Sequence, residues 1–493
     1  MKKIFDFILK RYQIFIATFI LLTAFIISRL PFFIYLPIVG FHPDTPDYFM
    51  PVVVINNGLL PKFGLLPPLY PLFLYFIGYL SNNILSVVIV QNLISFTVSL
   101  FYIAVIYKIK KNLTVWASLS FFVFFMSSYS IAFDTMLTTE SIYASSLILI
   151  AALSLLSLNY KNKYIWISFS LALILPFLIR PNGFVIFFLL FLFILFMYVN
   201  DYPRRLYVYL IVPLVIVLVL GVIYNYITLS QPIPDRIMTY LPFTEKKDKY
   251  QMSLDNYQGK EKPFSKEKIK AISDSIYGYI AEASRRQVES GEIKLYKNKF
   301  LKFLIFFNAI SYDSRTFYYA ELNRRYNDFY INDYIKNTNW NEFNVVFISE
   351  NFKKLMFKNY YDNLPPINFY QNADFKNTNS KINKSYLLKA YTLYYNYLFM
   401  YFFRTKFFIL TLSIIFIFSL IRFYQSRFKD INSFYVFFLI AILASTALFF
   451  TLTGFNTGSW RYVYPTEFIY YLVPVFIPFL FNFKKKKNSH AQQ

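Results

Sequence analysis

The chain has 493 residues, of which 57% are hydrophobic and 15% charged, with a mean hydropathy of +0.42 and a formal net charge of +24. That much apolar material in long uninterrupted runs excludes an ordinary soluble core and predicts an all-α polytopic membrane protein. With no cysteine and two histidines, disulfides, thiolate metal sites and a Cys nucleophile are excluded and a zinc site lacks ligands, while Lys and Arg gather at span ends rather than in a nucleic-acid-binding stripe.

Ten runs come close in length to the ~20 residues that a bilayer requires. They lie near 12–31, 84–107, 114–133, 141–158, 164–179, 184–199, 206–228, 404–423, 432–451 and 466–483. The first is too long for a signal-peptide core and has no small-residue cleavage site, so it reads as a retained signal anchor. The basic residues sort by connection. Lys2, Lys3, Lys10 and Arg11 precede the first span, and Lys108, Lys110 and Lys111 follow the second. Lys161 and Lys163 follow the fourth, Arg204 and Arg205 the sixth, Arg422, Arg427 and Lys429 the eighth, and Lys484 to Lys487 the tenth. By the positive-inside rule both termini face the cytoplasm of a multi-pass protein in the cell (inner) membrane, and the alternate connections face outward.

Taken in order, the outward connections carry the unusual residues. The first outer loop (32–83) holds His42-Pro43-Asp44-Thr45-Pro46-Asp47-Tyr48. Its prolines keep the backbone extended. Asp-Thr-Pro-Asp is good turn chemistry for a solvated loop. Equally, a carboxylate there suits a general base on an acceptor hydroxyl, its pKa raised by apolar surroundings. The rigid stretch Leu66-Pro67-Pro68-Leu69-Tyr70-Pro71-Leu72 follows. Glu140, in Leu137-Thr138-Thr139-Glu140-Ser141, reads either as a charge favourable at a helix N-terminus or as a second carboxylate facing a pocket. In the second case it would meet substrate hydroxyls or a divalent cation such as Mg or Mn. Arg180-Pro181-Asn182-Gly183 is a polar turn dividing two short spans into a hairpin.

Arg180 and Arg461 are the arginines of the short outward connections, and a guanidinium forks onto phosphate oxygens as lysine cannot. The alternative for each is snorkelling to lipid headgroups. Beside Arg461, Gly454, Gly458 and Trp460 indicate a shaped loop. Three segments follow: an N-terminal transmembrane core over 1–228, an extracytoplasmic loop domain over 229–403, and C-terminal helices with a basic tail over 404–493. The loop domain has helix-like stretches near 265–290 and 294–310. Its short apolar run at 300–310 and the aromatic run at 386–403 read as interfacial helices. No fixed-period repeat, Gly-rich phosphate loop or nucleophile elbow occurs.

Asp44-Thr45-Pro46-Asp47-Tyr48, Pro68-Leu69-Tyr70-Pro71-Leu72, Thr139-Glu140-Ser141, Arg180-Pro181-Asn182-Gly183 and Arg461-Tyr462, in this order, resemble the GT-C superfamily of membrane glycosyltransferases. The likeness covers roughly 1–230 and 400–485, and is strongest to the branch of protein O-mannosyltransferases and the lipid A aminoarabinose transferase. It implies a GT-C-like core that moves a sugar from a polyprenyl-phosphate carrier to a lipid, glycan or protein acceptor at the extracytoplasmic face. Asp44 would be the base, and Asp47 shares that expectation because the acids adjacent in many members are here separated by Thr45-Pro46. His42, Tyr70 and Glu140 would hold sugar or acceptor, and Arg180, Arg461 and Tyr462 the carrier phosphate. Two other readings compete: an O-antigen polymerase or ligase, which relies on arginines in large outer loops, and a lipid-linked glycan transporter. The transporter predicts charged groups within the spans.

Overall fold

The structure, a computed structural model, describes residues 2–35, 48, 51–52, 55, 67–81, 83–180, 183, 185–229, 406–453 and 466–481. Apolar runs with no water to bond their peptide groups must satisfy them internally, which makes helices of them. The described residues are mostly helical and contain no strand.

In chain order the helices are α1 (Lys2–Tyr35), α2 (Leu69–Phe73) running on into a π-helical Leu74–Tyr79, α3 (Ile84–Ile109), α4 (Thr114–Phe125) and α5 (Ser128–Thr135). Then come α6 (Glu140–Asn159), α7 (Lys163–Ile179), α8 (Val185–Val199) and α9 (Arg204–Leu229). The C-terminal set is α10 (Lys406–Gln425), α11 (Ile431–Thr453), α12 (Phe468–Tyr471) and α13 (Val473–Leu480). Among the described residues, four helices are long and apolar enough to cross a membrane: Tyr12–Leu30, Leu85–Ile109, Glu140–Asn159 and Arg204–Tyr224. Over its described residues the protein is an all-α membrane protein. The loop domain expected over 229–403, with its interfacial helices, lies outside the described residues apart from its first residue.

Two expected spans are not single helices. The run at 114–133 is divided into α4 and α5 by a turn at Met126 and Ser127, and the run at 466–483 is divided at Leu472 into α12 and α13. Hydropathy does not register the first break because the turn residues are themselves apolar or small. Its cause is polar: the Ser127 side chain accepts from the Ser130 N–H at 3.1 Å and so caps a new helix.

The bundle is built around α6. In its apolar stretch 89% of residues are buried, against 28% for α1 and 17% for α9, so α6 is the core and α1 and α9 are peripheral. It packs against α3, α5, α7 and α11. Ala144, Ser145, Ala151, Ala152 and Ser154 are the small residues that allow neighbouring backbones to approach. Three of its serines bond within the helix: Ser146, Ser154 and Ser157 donate back to its own carbonyls at 2.7, 3.0 and 2.9 Å. The C-terminal helices are fastened here too. The Tyr435 hydroxyl of α11 shares hydrogen bonds with the Tyr102 hydroxyl of α3 at 3.0 Å and the Ala151 carbonyl of α6 at 3.2 Å.

At one end of the bundle α1, α3, α4 and α5 are joined through Arg29, which is 1% exposed. Its Nε donates to Asn92 Oδ1 at 3.2 Å, and Nη1 to Ser28 Oγ at 2.8 Å and to the Phe125 carbonyl. Nη2 donates to Ser130 Oγ at 2.6 Å and pairs with the Asp134 carboxylate. A guanidinium has five N–H donors, and all five are used. The rings of Phe25 and Phe125 lie 5.9 and 5.2 Å from its central carbon. The Phe125 carbonyl is at the C-terminus of α4 and Ser130 is in α5, so Arg29 holds the two sides of the helix break together.

Replacing Arg29 by Met strands a buried carboxylate and four other acceptors. It should destabilise the folded protein by about 3–5 kcal/mol, read by denaturant unfolding in detergent. Arg29→Lys, with one point charge and three donors, should restore less than half of that loss. Full stability in Arg29→Met would contradict the role assigned to the hub.

Candidate functional site

The connection from α5 to α6 is short, and nearly every residue in it is tied down. The Asp134 carbonyl accepts from Asn92 Nδ2 at 2.8 Å, and the second oxygen of its carboxylate accepts from Ser141 Oγ at 2.6 Å. The Met136 carbonyl accepts from Gln91 Nε2 at 2.9 Å and from the Thr138 N–H at 3.0 Å. Gln91 and Asn92 are neighbours on α3, so one short stretch of that helix anchors the connection at two carbonyls. Glu140 is therefore delivered in a fixed position as the first residue of α6.

Glu140 is fully buried. Its Oε1 lies 3.3 Å from Arg180 Nη1, and its Oε2 lies 3.4 Å from the Thr139 hydroxyl that donates to it. Glu140 thus starts a helix, where a negative charge meets the dipole, and its carboxylate pairs with the Arg180 guanidinium. Arg180 caps the end of α7 in extended backbone, with its N–H donating to the Pro176 carbonyl at 2.9 Å. Its guanidinium is 5.8 Å from the centre of the Tyr143 ring, one turn along α6 from Glu140.

The turn after Arg180 explains its glycine. Gly183 N–H donates to the Arg180 carbonyl at 3.0 Å, closing the turn onto the last turn of α7. A Cβ at Gly183 would stand 2.2 Å from the carbonyl carbon and oxygen of Pro176, both backbone atoms. No side chain fits there without moving the segment that presents Arg180.

Tyr70 completes the cluster from α2. Its ring packs edge-on against Tyr48, with centroids 5.1 Å apart, and its hydroxyl donates to Gln91 Oε1 at 2.8 Å. The direction of that bond follows from Gln91. The Met136 carbonyl only accepts, so the Gln91 amide nitrogen must face it and the amide oxygen must face Tyr70. The Tyr70 proton is thereby committed to Gln91. Burial pushes the Tyr70 phenol well above its ordinary pKa, and the nearby Tyr48 and Glu140 act in the same direction. Tyr70 therefore stays protonated throughout the physiological range.

Three residues expected from the sequence, Tyr70, Glu140 and Arg180, meet in one buried cluster, although they come from α2, α6 and the end of α7. Tyr48, the last residue of the acidic motif and one position after Asp47, joins them through Tyr70. His42, Asp44, Asp47, Arg461 and Tyr462 lie outside the described residues. Sequence reasoning missed Arg29, Gln91 and Asn92 and gave Asp134 no role of its own. The available signal was an arginine and an adjacent Gln-Asn pair inside apolar runs, where such residues are costly unless partnered. Among the described residues no group of three or more acids or histidines is placed to hold a metal ion. No family model, no characterised protein and no solved structure matches the chain.

Two substitutions probe this arrangement. Gly183→Ala should destabilise the α7–α8 turn by about 1–3 kcal/mol through overpacking against Pro176. It should also increase chemical accessibility of Arg180, read by arginine modification and mass spectrometry. Glu140→Ala removes a partner of a buried guanidinium and should cost roughly 3 kcal/mol or more, measured by unfolding in detergent. Glu140→Gln, which keeps the shape, should cost less than Glu140→Ala.

Proposed function

We propose that the protein is an integral membrane glycosyltransferase that moves a sugar from a polyprenyl-phosphate carrier to a lipid, glycan or protein acceptor at the extracytoplasmic face. The observation that carries this reading is the convergence of four separated motifs. Tyr48 ends the acidic segment, Tyr70 lies in the proline-rich stretch, Glu140 starts α6, and Arg180 opens the Arg-Pro-Asn-Gly turn. They form one buried cluster at one end of an apolar bundle. Chance placement of unrelated turn and cap residues does not favour such a meeting.

The chemistry follows from where a carrier lipid lies. Its chain occupies the bilayer and its phosphate the interface, where a cation at the outer end of a span, as the sequence topology has Arg180, would meet it. Departure of a phosphate needs no general acid at neutral pH, so a single base suffices. Asp44 takes the proton of the acceptor hydroxyl as that oxygen attacks the anomeric carbon. The bond to the carrier phosphate breaks, and the carrier leaves as an anion. Asp47 stands next in line for the base role. Arg180 and Arg461, with Tyr462, hold the phosphate and stabilise its growing charge. His42, Tyr70 and Glu140 orient the sugar or acceptor. Before the donor arrives, Glu140 keeps the Arg180 charge from being buried without a counterion. The ten-span GT-C-like arrangement with both termini in the cytoplasm belongs to the same proposal, as does any divalent cation held by the acids.

The decisive test uses membranes containing the full chain, supplied with polyprenyl-phosphate-linked sugars of several kinds. Asp44→Asn should lower transfer about 10²–10⁴-fold with insertion and expression unchanged. Transfer that persists in Asp44→Asn but is lost in Asp47→Asn would move the base role to Asp47. Arg461→Ala should weaken donor binding, seen as a raised KM. Passage of an intact carrier-linked glycan across vesicles, with no transfer from any donor, would overturn the enzyme reading in favour of a transporter.

A further inference from the structure

At the end of the bundle remote from Glu140, two helices and a connection present basic side chains on one surface. Lys108 is in the last turn of α3, Lys161 lies between α6 and α7, and Arg204 and Arg205 begin α9. Two aromatic rings connect them. Lys108 Nζ sits 4.4 Å from the centre of the Tyr160 ring, and Lys161 Nζ sits 5.6 Å from the centre of the Tyr202 ring. The Tyr202 hydroxyl donates to the Leu158 carbonyl at 3.2 Å, which fixes the turn before α9 against the end of α6. The patch is therefore a built surface and not a set of independent tails.

We infer that this surface binds the headgroup of an anionic phospholipid. Lys108, Lys161, Arg204 and Arg205 are exposed, and among the described residues none has an acidic partner. Across positions 108–111, 161–163 and 200–205 there are seven basic residues and one acid, Asp201. Each ammonium over a ring uses that ring on one side and keeps its other N–H groups for an anion. Depth selects the partner. Leu85–Ile109, Glu140–Asn159 and Arg204–Tyr224 are apolar enough to cross a membrane, and each has an end in this patch. The cations therefore stand at the level of lipid phosphates, with Tyr160 and Tyr202 as interfacial aromatics beside them. A soluble anion would gain the same charge contact but nothing from the apolar helix flanks below it. Nothing in this inference depends on the glycosyltransferase reading.

The test is native mass spectrometry of the full chain in detergent, supplied with equimolar phosphatidylglycerol and phosphatidylcholine. The wild-type protein should retain phosphatidylglycerol preferentially. Lys108→Gln/Lys161→Gln/Arg204→Gln should lose that preference by about a hundredfold, near fivefold for each charge removed. The charge-preserving Lys108→Arg/Lys161→Arg variant should keep it, which separates charge from misfolding. Equal retention of the two lipids by the wild type, or an unchanged preference in the triple variant, would overturn the assignment. Displacement of the lipid by millimolar inorganic phosphate would overturn it as well, by showing a site for free anions.

Discussion

The buried guanidinium of Arg29 is the constraint on which the rest of the described structure depends. Inside a lipid-exposed bundle, apolar contact distinguishes poorly between protein and acyl chains, so hydrogen bonds and close packing decide which helices touch. Arg29 commits five donors to groups on α1, α3, α4, α5 and to the carboxylate that also receives Ser141 of α6. A cation with spare donors could settle in several arrangements; one whose acceptors come from so many elements has few. The break between α4 and α5 is part of this economy. An unbroken helix would keep the Phe125 carbonyl for its own ladder and leave Arg29 one acceptor short.

From that hub, order passes to the site in two short steps. Asp134 holds Ser141, and the Gln91-Asn92 pair holds the carbonyls of Met136 and Asp134, so Glu140 is placed by three bonds that do not touch its own side chain. Gln91 also sets the direction of the Tyr70 hydroxyl. Preorganisation of this kind is what electrostatic stabilisation of a developing charge requires, because little then has to reorganise as the charge appears.

Much of the helix content was legible in the sequence, because a run of ~20 apolar residues has few alternatives in a bilayer. The end of α7 at Arg180 was legible, because the proline, asparagine and glycine that follow in the sequence disfavour a continuing helix. The interruptions at Met126-Ser127 and Leu472 were not, since an average over apolar residues is blind to a serine that caps. At the site, Tyr70, Glu140 and Arg180 could be chosen by residue type at span ends. Their meeting could not be read, because it depends on the depth and rotation of α2, α6 and α7, which hydropathy does not encode. Arg29 was hidden by its surroundings: a lone arginine near the end of an apolar run passes for a snorkelling side chain.

That resemblance to a snorkelling residue bears on how the protein is made. Arg29 leaves the ribosome 105 residues before Asp134, its ionic partner. Until α5 is synthesised, α1 must sit in the membrane with its arginine unmatched, at a cost of about 2.5–3.5 kcal/mol if the charge lay at mid-bilayer. Its place in the last turn of the Tyr12–Leu30 stretch lets the long side chain reach the interface in the meantime. The same position that permits early insertion allows the guanidinium to be drawn inward later, when α4 and α5 arrive as a bent pair carrying its acceptors. Biogenesis then has a natural checkpoint, because α1 becomes locked to the bundle only after the chain has been made as far as the start of α6.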